Sequence, residues 1–160
     1  LSGDAVWIIS DSDSAQPVAL SFRDIQRDWY KVLGYAPLLS NTPPTTGYAN
    51  DSAEITNVFF GTPSNAPWLS KLIDVNSCLS GTESHCLRVV KNTYAPGSAL
   101  VVAGQDTRGL IYAMFEFSTS VLGVDPWYYY MDLEPTYKGI ITLPPTFSVT
   151  FKPPAFEQRG

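Results

Sequence analysis

The sequence predicts an α/β (α+β) fold, in which a mixed β-sheet carries helices packed on it. Patterns typical of buried strands alternate with helical patterns along the chain, and two later strands form an adjacent pair separated by a short turn. The 160 residues are 44% hydrophobic and 13% aromatic, which is ample for one packed core. We expect the α/β domain to span residues 1–150.

The first strand and helix are the clearest elements. "AVWIIS", residues 5–10, is an uninterrupted β-favouring apolar run, which predicts a buried strand. A helix follows because apolar residues recur at steps of four and three: Val18, Phe22, Ile25, Trp29 and Val32. The charged residues are expected on the opposite face: Arg23, Asp24, Arg27, Asp28 and Lys31. Gly34 is well placed to end the helix.

The middle of the chain continues the alternation. "APLLS", residues 36–40, is a short strand candidate, and the following stretch rich in Pro, Thr and Gly is a loop. "EITNVFFG", residues 54–61, predicts a buried strand, and a short helix follows around Trp68. "CLRVVKN" and "ALVVAGQD" predict a strand pair joined by the turn "TYAPGS".

A long helix is expected from about Thr107 to Leu122. Its entry, "GQDTRG", has the glycine spacing of a phosphate loop but lacks the Lys and hydroxyl residues that contact phosphate and metal. Asp106 or Thr107 can instead cap the helix, and Arg108 projects from the first turn. Apolar residues cover most of the helix circumference, so we expect another domain or subunit to cover its far side. Glu116 is expected as a buried, paired carboxylate within that surface.

"DPWYYYMD", residues 125–132, is a candidate binding segment. A strand here would place Trp127 and Tyr129 on one face and Tyr128 and Tyr130 on the other. The aromatic rings could stack on sugar or could form core and interdomain contacts, and the sequence leaves both open. We name Trp127, Tyr129, Asp106 and Arg108 as candidate substrate-binding residues.

Composition excludes several classes of function. The net charge of −5 without a basic run argues against nucleic acid, and no apolar stretch approaches the ~20 residues that cross a bilayer. A single histidine, His85, gives no support to a hydrolytic triad, and two cysteines with one histidine match no zinc spacing. We therefore predict no catalytic residue, no metal and no cofactor in this chain.

Two features favour secretion. Cys78 and Cys86 flank a turn-rich loop and are expected to form a disulfide in an oxidising compartment, with two free thiols as the alternative. "NDS" at Asn50 is an N-glycosylation sequon in a predicted loop. The chain is therefore expected to be extracellular.

The end of the chain is bracketed by two Pro-Pro pairs, which cannot extend a helix and are excluded from central strands. Such a stretch is typical of an exit from one domain. Residues 151–160 are expected to be a linker into a further domain.

The stretch "GQDTRGLIYAMFEFSTSVLGVDPWYYYMDLEP" resembles a segment of glycoside hydrolase family 115, the xylan α-1,2-glucuronidases, of the form G-S-D-K-R-G-T-I-Y-G-I-Y-E-L-S followed by G-V-S-P-W-Y-W-W-A-D. The matching positions include Gly104, Asp106, Arg108, Glu116 and Trp127. The sequence departs from the pattern at other positions: Leu110, Ala113, Tyr129, Tyr130 and Met131. Upstream stretches resemble the family's first helix and a later strand, so the resemblance covers nearly the whole chain.

The resemblance implies an N-terminal accessory domain similar to the second domain of hexosaminidases, followed by a catalytic (β/α)8 barrel beyond residue 160. The implied activity is the inverting removal of glucuronic acid or its 4-O-methyl ether from glucuronoxylan, with the catalytic carboxylates in the barrel. The implied partners are that barrel and glucuronoxylan, and the full enzyme could form a homodimer. The alternative is a free-standing carbohydrate-binding or interaction module that uses exposed aromatic residues.

Overall fold

The computed structural model describes residues 1, 5–10, 16–44 and 54–155. Within them, six strands and three α-helices alternate, together with two 3₁₀ helices and one π-helical segment. In chain order the elements are β1 (Val6–Ile9), α1 (Gln16–Leu33), β2 (Leu38–Ser40), β3 (Ile55–Gly61), a 3₁₀ helix (Pro67–Lys71), α2 (Val75–Cys78), β4 (His85–Lys91), β5 (Ser98–Gly104), α3 (Thr107–Glu116), a π-helix (Phe117–Leu122), a 3₁₀ helix (Tyr128–Tyr130) and β6 (Ser148–Phe151).

The strands form one mixed sheet in the order β2-β1-β3-β5-β4-β6. The first four strands in this order run parallel, whereas β4 is antiparallel to both β5 and β6. The predicted mixed sheet with helices on it is confirmed. The stretch between the Pro-Pro pairs forms β6 at the sheet edge, where missing N–H donors are tolerated.

One face of the sheet is covered by α1 and α3. Trp7 of β1 lies at the centre of this core, with its ring 5.1 Å from Trp29 of α1, 4.9 Å from Phe60 of β3 and 5.7 Å from Phe117. Most of these contacts are edge-on, an arrangement that aromatic rings favour. The apolar stripe predicted for α1 is therefore the stripe that is buried.

The opposite face is covered by shorter elements. The 3₁₀ helix at Pro67–Lys71 and helix α2 place Leu69 and Cys78 against Phe59 and Val101 of the sheet. Cys78 and Cys86 form a disulfide that ties α2 to β4, which confirms the predicted pairing. The chain therefore has two hydrophobic cores, one on each side of the sheet.

The long helix needs less external cover than its sequence indicated. In residues 107–122, all of which are described, Phe115 is the one large apolar side chain that is exposed, at 41%. Part of the cover comes from the chain itself, because α1 packs alongside α3. Cover of the remaining side by another domain or subunit stays a prediction. Glu116 is half-buried rather than buried, and the Ser120 hydroxyl donates a hydrogen bond to it.

Candidate functional site

The aromatic segment that follows the long helix is a turn rather than a strand. The Asp125 carboxylate accepts a 2.9 Å hydrogen bond from the Trp127 N–H, and the Asp125 carbonyl accepts one of 3.0 Å from the Tyr128 N–H. The chain then enters the 3₁₀ helix at Tyr128–Tyr130. The predicted alternation between two strand faces is wrong, because an Asp side chain that bonds the backbone two residues later closes a turn instead.

This turn divides the aromatic residues into an outer and an inner pair. Trp127 and Tyr130 are 64% and 83% exposed, and their ring centroids lie 6.2 Å apart. We call Trp127 and Tyr130 the outer pair. Tyr128 is 8% exposed and Tyr129 is 47% exposed, with rings 4.1 Å apart, and these two form the inner pair.

The inner pair is attached to a buried carboxylate, Asp28 of α1, which is only 2% exposed. One oxygen of Asp28 accepts a 2.6 Å hydrogen bond from the Tyr128 hydroxyl and lies 3.4 Å from the Tyr129 hydroxyl. The other oxygen accepts a 2.6 Å hydrogen bond from the Ser118 hydroxyl. This network joins α1, the π-helix and the aromatic turn.

Sequence reasoning missed Asp28 by assigning it to the polar face of α1. That assignment was wrong. Its spacing does contain a signal, since Asp28 comes three residues after Ile25 and four before Val32 and therefore lies in the apolar stripe of the helix. A carboxylate at such a position requires hydrogen-bond donors, and two distant segments supply them.

Two cations of α1 cover the outside of the inner pair. Arg27 donates a hydrogen bond to the Tyr129 hydroxyl, and its guanidinium carbon lies 4.7 Å from the centre of that ring. Lys31 forms an ion pair with Glu134, and its Nζ lies 5.4 Å from the centre of the Tyr128 ring. Burial, together with the hydrogen bond to Asp28, raises the pKa of Tyr128, so this phenol stays protonated. The arrangement is a structural anchor, not an activated nucleophile.

Asp106 and Arg108 lie at the opposite end of the helix. Asp106 caps α3, since one carboxylate oxygen accepts from the Gly109 N–H at 2.9 Å and the other from the Glu83 N–H at 2.8 Å. Arg108 forms a 2.9 Å ion pair with Glu83, whose side chain is buried. The sequence offered Asp106 or Thr107 as the cap, and in the structure Asp106 caps the helix.

These contacts fix the disulfide loop against the start of α3. The Gln105 N–H donates to the Ser84 carbonyl at 2.9 Å. A Cβ on Gly109 would lie 2.7 Å from the same oxygen, and a Cβ on Gly104 would collide with the backbone of Leu110. The glycine spacing that resembled a phosphate loop therefore serves close backbone packing.

The structure does not bring the four candidate substrate-binding residues together. Asp106 and Arg108 are at the start of α3, whereas Trp127 and Tyr129 follow the end of the π-helix. Helices of ten and six residues separate the two pairs, a length of about 20 Å. Asn50, the predicted glycosylation site, lies outside the described residues.

A shallow cleft of about 390 Å³ lies between α3 and the sheet edge, and sequence reasoning did not anticipate it. His85 stacks on Phe151 there, with ring centroids 4.5 Å apart, and Tyr112 and Glu116 complete the walls. Burial lowers the pKa of His85, while a hydrogen bond to the Glu83 carbonyl and the charge of Glu116 oppose that shift.

Within the described ranges, no group of three or more His, Cys, Asp or Glu side chains is placed to hold a metal ion. No helix in this part of the chain has the length and apolar character needed to cross a bilayer.

Among solved structures, the chain is similar to a family GH115 4-O-methyl-α-glucuronidase that has specificity for decorated arabinogalactans. The two share 25% sequence identity and a TM-score of 0.72 over 93% of this chain. The chain spans only 17% of the length of that enzyme. No protein-family model and no curated protein matches the sequence. The chain thus has a fold found in family GH115 and is a glycoside hydrolase-related domain.

Proposed function

We propose that this chain is a non-catalytic N-terminal accessory domain of a secreted xylan α-1,2-(4-O-methyl)-glucuronidase, in which it braces the catalytic (β/α)8 barrel. The observation that carries the proposal is the match of 93% of this chain to 17% of a glucuronidase. A segment of that size is one domain of a larger enzyme.

The hydrogen bonds of two carboxylates, Asp28 and Asp106, support a scaffolding role. Asp28 binds the hydroxyls of Ser118 and Tyr128, and Asp106 binds the N–H groups of Glu83 and Gly109. An inverting glycosidase needs one carboxylic acid at the leaving oxygen and one carboxylate that activates water, separated so that the water fits. We assign both to the barrel, because Asp28 and Asp106 hold the fold of this chain.

The outer pair is our candidate for contact with the barrel. Trp127 and Tyr130 are exposed on a turn that Asp28 fixes from below, so these rings are presented in one place. Residues that follow on the same segment are also exposed: Met131, Leu133, Tyr137 and Ile140. Backbone bonds from the Lys138 and Gly139 N–H groups to the Val32 carbonyl hold this segment on α1. Fixed, exposed apolar residues are typical of an interaction surface.

The decisive experiment compares the chain with the longer polypeptide of which we propose it is a part. We expect the longer protein to release glucuronic acid from glucuronoxylan with inversion, and the 160-residue chain to release none. Decorated arabinogalactan is the second substrate, because the similar enzyme is specific for it. Release by the 160-residue chain would overturn the non-catalytic assignment, and a longer protein without activity on either polymer would overturn the enzyme assignment.

Variants separate bracing from sugar contact. In the longer protein, Trp127→Ala and Tyr130→Ala should lower the melting temperature and leave kcat/KM unchanged if these rings contact the barrel. Asp106→Ala and Arg108→Ala should behave in the same way. Tyr35→Ala, which removes another exposed aromatic ring, is the matched control and should change neither the melting temperature nor kcat/KM. An increase in KM with an unchanged melting temperature would instead assign these residues to substrate.

The alternative function is a free-standing carbohydrate-binding or interaction module, and the exposure of Trp127 and Tyr130 favours it. It predicts that the 160-residue chain is retained by insoluble xylan and that Trp127→Ala abolishes retention. A chain that passes through xylan unretained contradicts this alternative.

Secretion and glycosylation belong to the same proposal. The disulfide between Cys78 and Cys86 suits an oxidising compartment. Expression in a eukaryotic secretory host should add one N-glycan that Asn50→Gln removes, as measured by intact mass. An unchanged mass after that substitution would exclude Asn50 as the acceptor.

A further inference from the structure

An open cleft of about 630 Å³ lies on the sheet face opposite α1 and α3, away from the outer pair. The 3₁₀ helix at Pro67–Lys71 supplies Pro67, Trp68 and Lys71 to its walls, and the turn after β4 supplies Tyr94. Pro43, beyond β2, closes the remaining side. The volume is in the range of small-ligand sites, which are mostly apolar with a few placed polar groups.

The two aromatic walls are held in place from behind. Trp68 and Tyr94 both pack on Phe59, with ring centroids 5.2 Å and 5.8 Å away. The Tyr94 hydroxyl donates to the Trp68 carbonyl at 3.1 Å, which joins the two walls directly. Both rings remain half-buried and therefore keep an accessible surface.

A buried pair of amides fixes the turn that carries Tyr94. The Asn92 side-chain oxygen accepts from the Tyr94 N–H at 3.0 Å, and its amide nitrogen donates to the Asn57 side chain at 2.7 Å. Asn92 and Asn57 are both buried. The cleft therefore exists before any ligand binds, which reduces the ordering cost of binding.

The charge of the cleft defines its ligand. Among the described residues that line it, Lys71 alone is charged, and its Nζ lies 5.8 Å from the centre of the Tyr94 ring. Apolar and aromatic walls suit the flat face of a pyranose ring, and one cation at the wall suits one carboxylate. A polymer charged at every residue fits poorly, because the described lining offers one cation and the chain carries a net charge of −5.

We propose that this cleft binds an acidic oligosaccharide outside the catalytic centre, with Trp68 and Tyr94 against the sugar rings and Lys71 paired with a uronate carboxylate. The choice of a uronate rests on the proposed function, whose substrate carries glucuronic acid side chains. The site would hold the enzyme on decorated polymer.

The test measures binding to the 160-residue chain by titration calorimetry, with glucuronosyl-xylotriose and neutral xylotetraose as probes. The acidic probe should bind about two- to fivefold more tightly than the neutral one, the effect of one partly exposed ion pair. Lys71→Gln should remove this preference and leave xylotetraose binding unchanged. Lys152→Gln, an exposed lysine beyond edge strand β6, is the matched control and should change neither affinity.

A second variant tests the walls. Trp68→Ala should weaken both probes about tenfold, because stacking does not depend on the carboxylate. Its folding is checked by circular dichroism, and Lys71→Gln carries the test if Trp68→Ala unfolds. Equal affinity for the two probes, an unchanged preference in Lys71→Gln, or no binding at all would overturn the proposal. None of these binding results depends on glucuronic acid release by the longer protein. Failure of the cleft proposal can therefore be distinguished from failure of the proposed function.

Discussion

The Tyr128 hydroxyl donates a 2.6 Å hydrogen bond to the Asp28 carboxylate, although 100 residues separate the two in sequence. Ser118 donates to the other oxygen of the same carboxylate at 2.6 Å. One buried group of α1 therefore fixes both the π-helix and the aromatic turn. The position of Trp127 and Tyr130 at the surface follows from this contact.

Asp28→Ala should lower the free energy of unfolding by about 3 kcal/mol, because hydrogen bonds to a charged acceptor contribute about 1.5–3 kcal/mol each and two donors lose their partner. Tyr128→Phe should cost about 2 kcal/mol in the native background and clearly less in the Asp28→Ala background. Urea unfolding measures all the variants. Asp24→Ala, in an exposed ion pair, is the control and should change stability by less than about 0.5 kcal/mol. Equal effects of Asp28→Ala and Asp24→Ala would contradict the anchor.

Asp106→Ala should destabilise the chain by about 2 kcal/mol, since the helix cap and the bond to the Glu83 N–H disappear together. Thr107→Ala, at the next and exposed position, should stay within about 0.5 kcal/mol. Thermal unfolding of both variants checks this. A larger loss of stability in Thr107→Ala than in Asp106→Ala would mean that Thr107 caps the helix, and it would contradict the prediction.

The disulfide closes a short loop, with Cys78 and Cys86 separated by 8 positions. Loop closure of this length is expected to contribute about 2.5 kcal/mol. The double variant Cys78→Ala with Cys86→Ala should lose about that amount. Reduction of the native chain should lower its melting temperature, whereas the double variant should not respond to reductant. A native chain insensitive to reductant would contradict this contribution.

His85 should make the chain less stable in acid. Its folded-state pKa lies below the unfolded value of 6.5, so the unfolded chain binds more protons in the window below pH 6.5. Stability therefore rises with pH across that window and falls as pH decreases through it. Because His85 is the only histidine, its ring signal in a proton NMR titration reports this pKa directly.

A pair of variants isolates the histidine. His85→Phe keeps a ring against Phe151 and should flatten the stability profile in the same window below pH 6.5. Glu116→Gln removes the charge that raises the pKa, so it should lower the pKa of His85 further. An NMR pKa of 6.5 or above would refute the prediction.

The sequence predicted the local elements well. Four predicted features depend only on residues close along the chain, and the structure contains all of them: the apolar stripe of α1, the buried run in β3, the cap at Asp106 and the disulfide. The segment at 125–132 was predicted as a strand from its aromatic residues. The segment is a turn instead, because the Asp125 carboxylate accepts a hydrogen bond from the Trp127 N–H. The strand propensity of aromatic residues does not represent this contact.

The candidate site was less predictable, because its geometry depends on contacts between distant segments. Asp106 and Trp127 belong to the same stretch that resembles family 115, yet helices of ten and six residues hold them apart. The cleft draws on three segments, which carry Pro43, the pair Trp68 and Lys71, and Tyr94, and none of these segments predicts the cleft alone.

By itself, the sequence determined the type of most elements and the α/β class, and it offered Asp106 or Thr107 as the cap of α3 and a disulfide between Cys78 and Cys86, since each follows from residues close along the chain. Only the tertiary structure decided the strand order, the burial of Asp28 and the shape of the aromatic turn. A carboxylate in an apolar stripe is stable only where donors from other segments reach it, and Ser118 and Tyr128 meet Asp28 only in the folded chain.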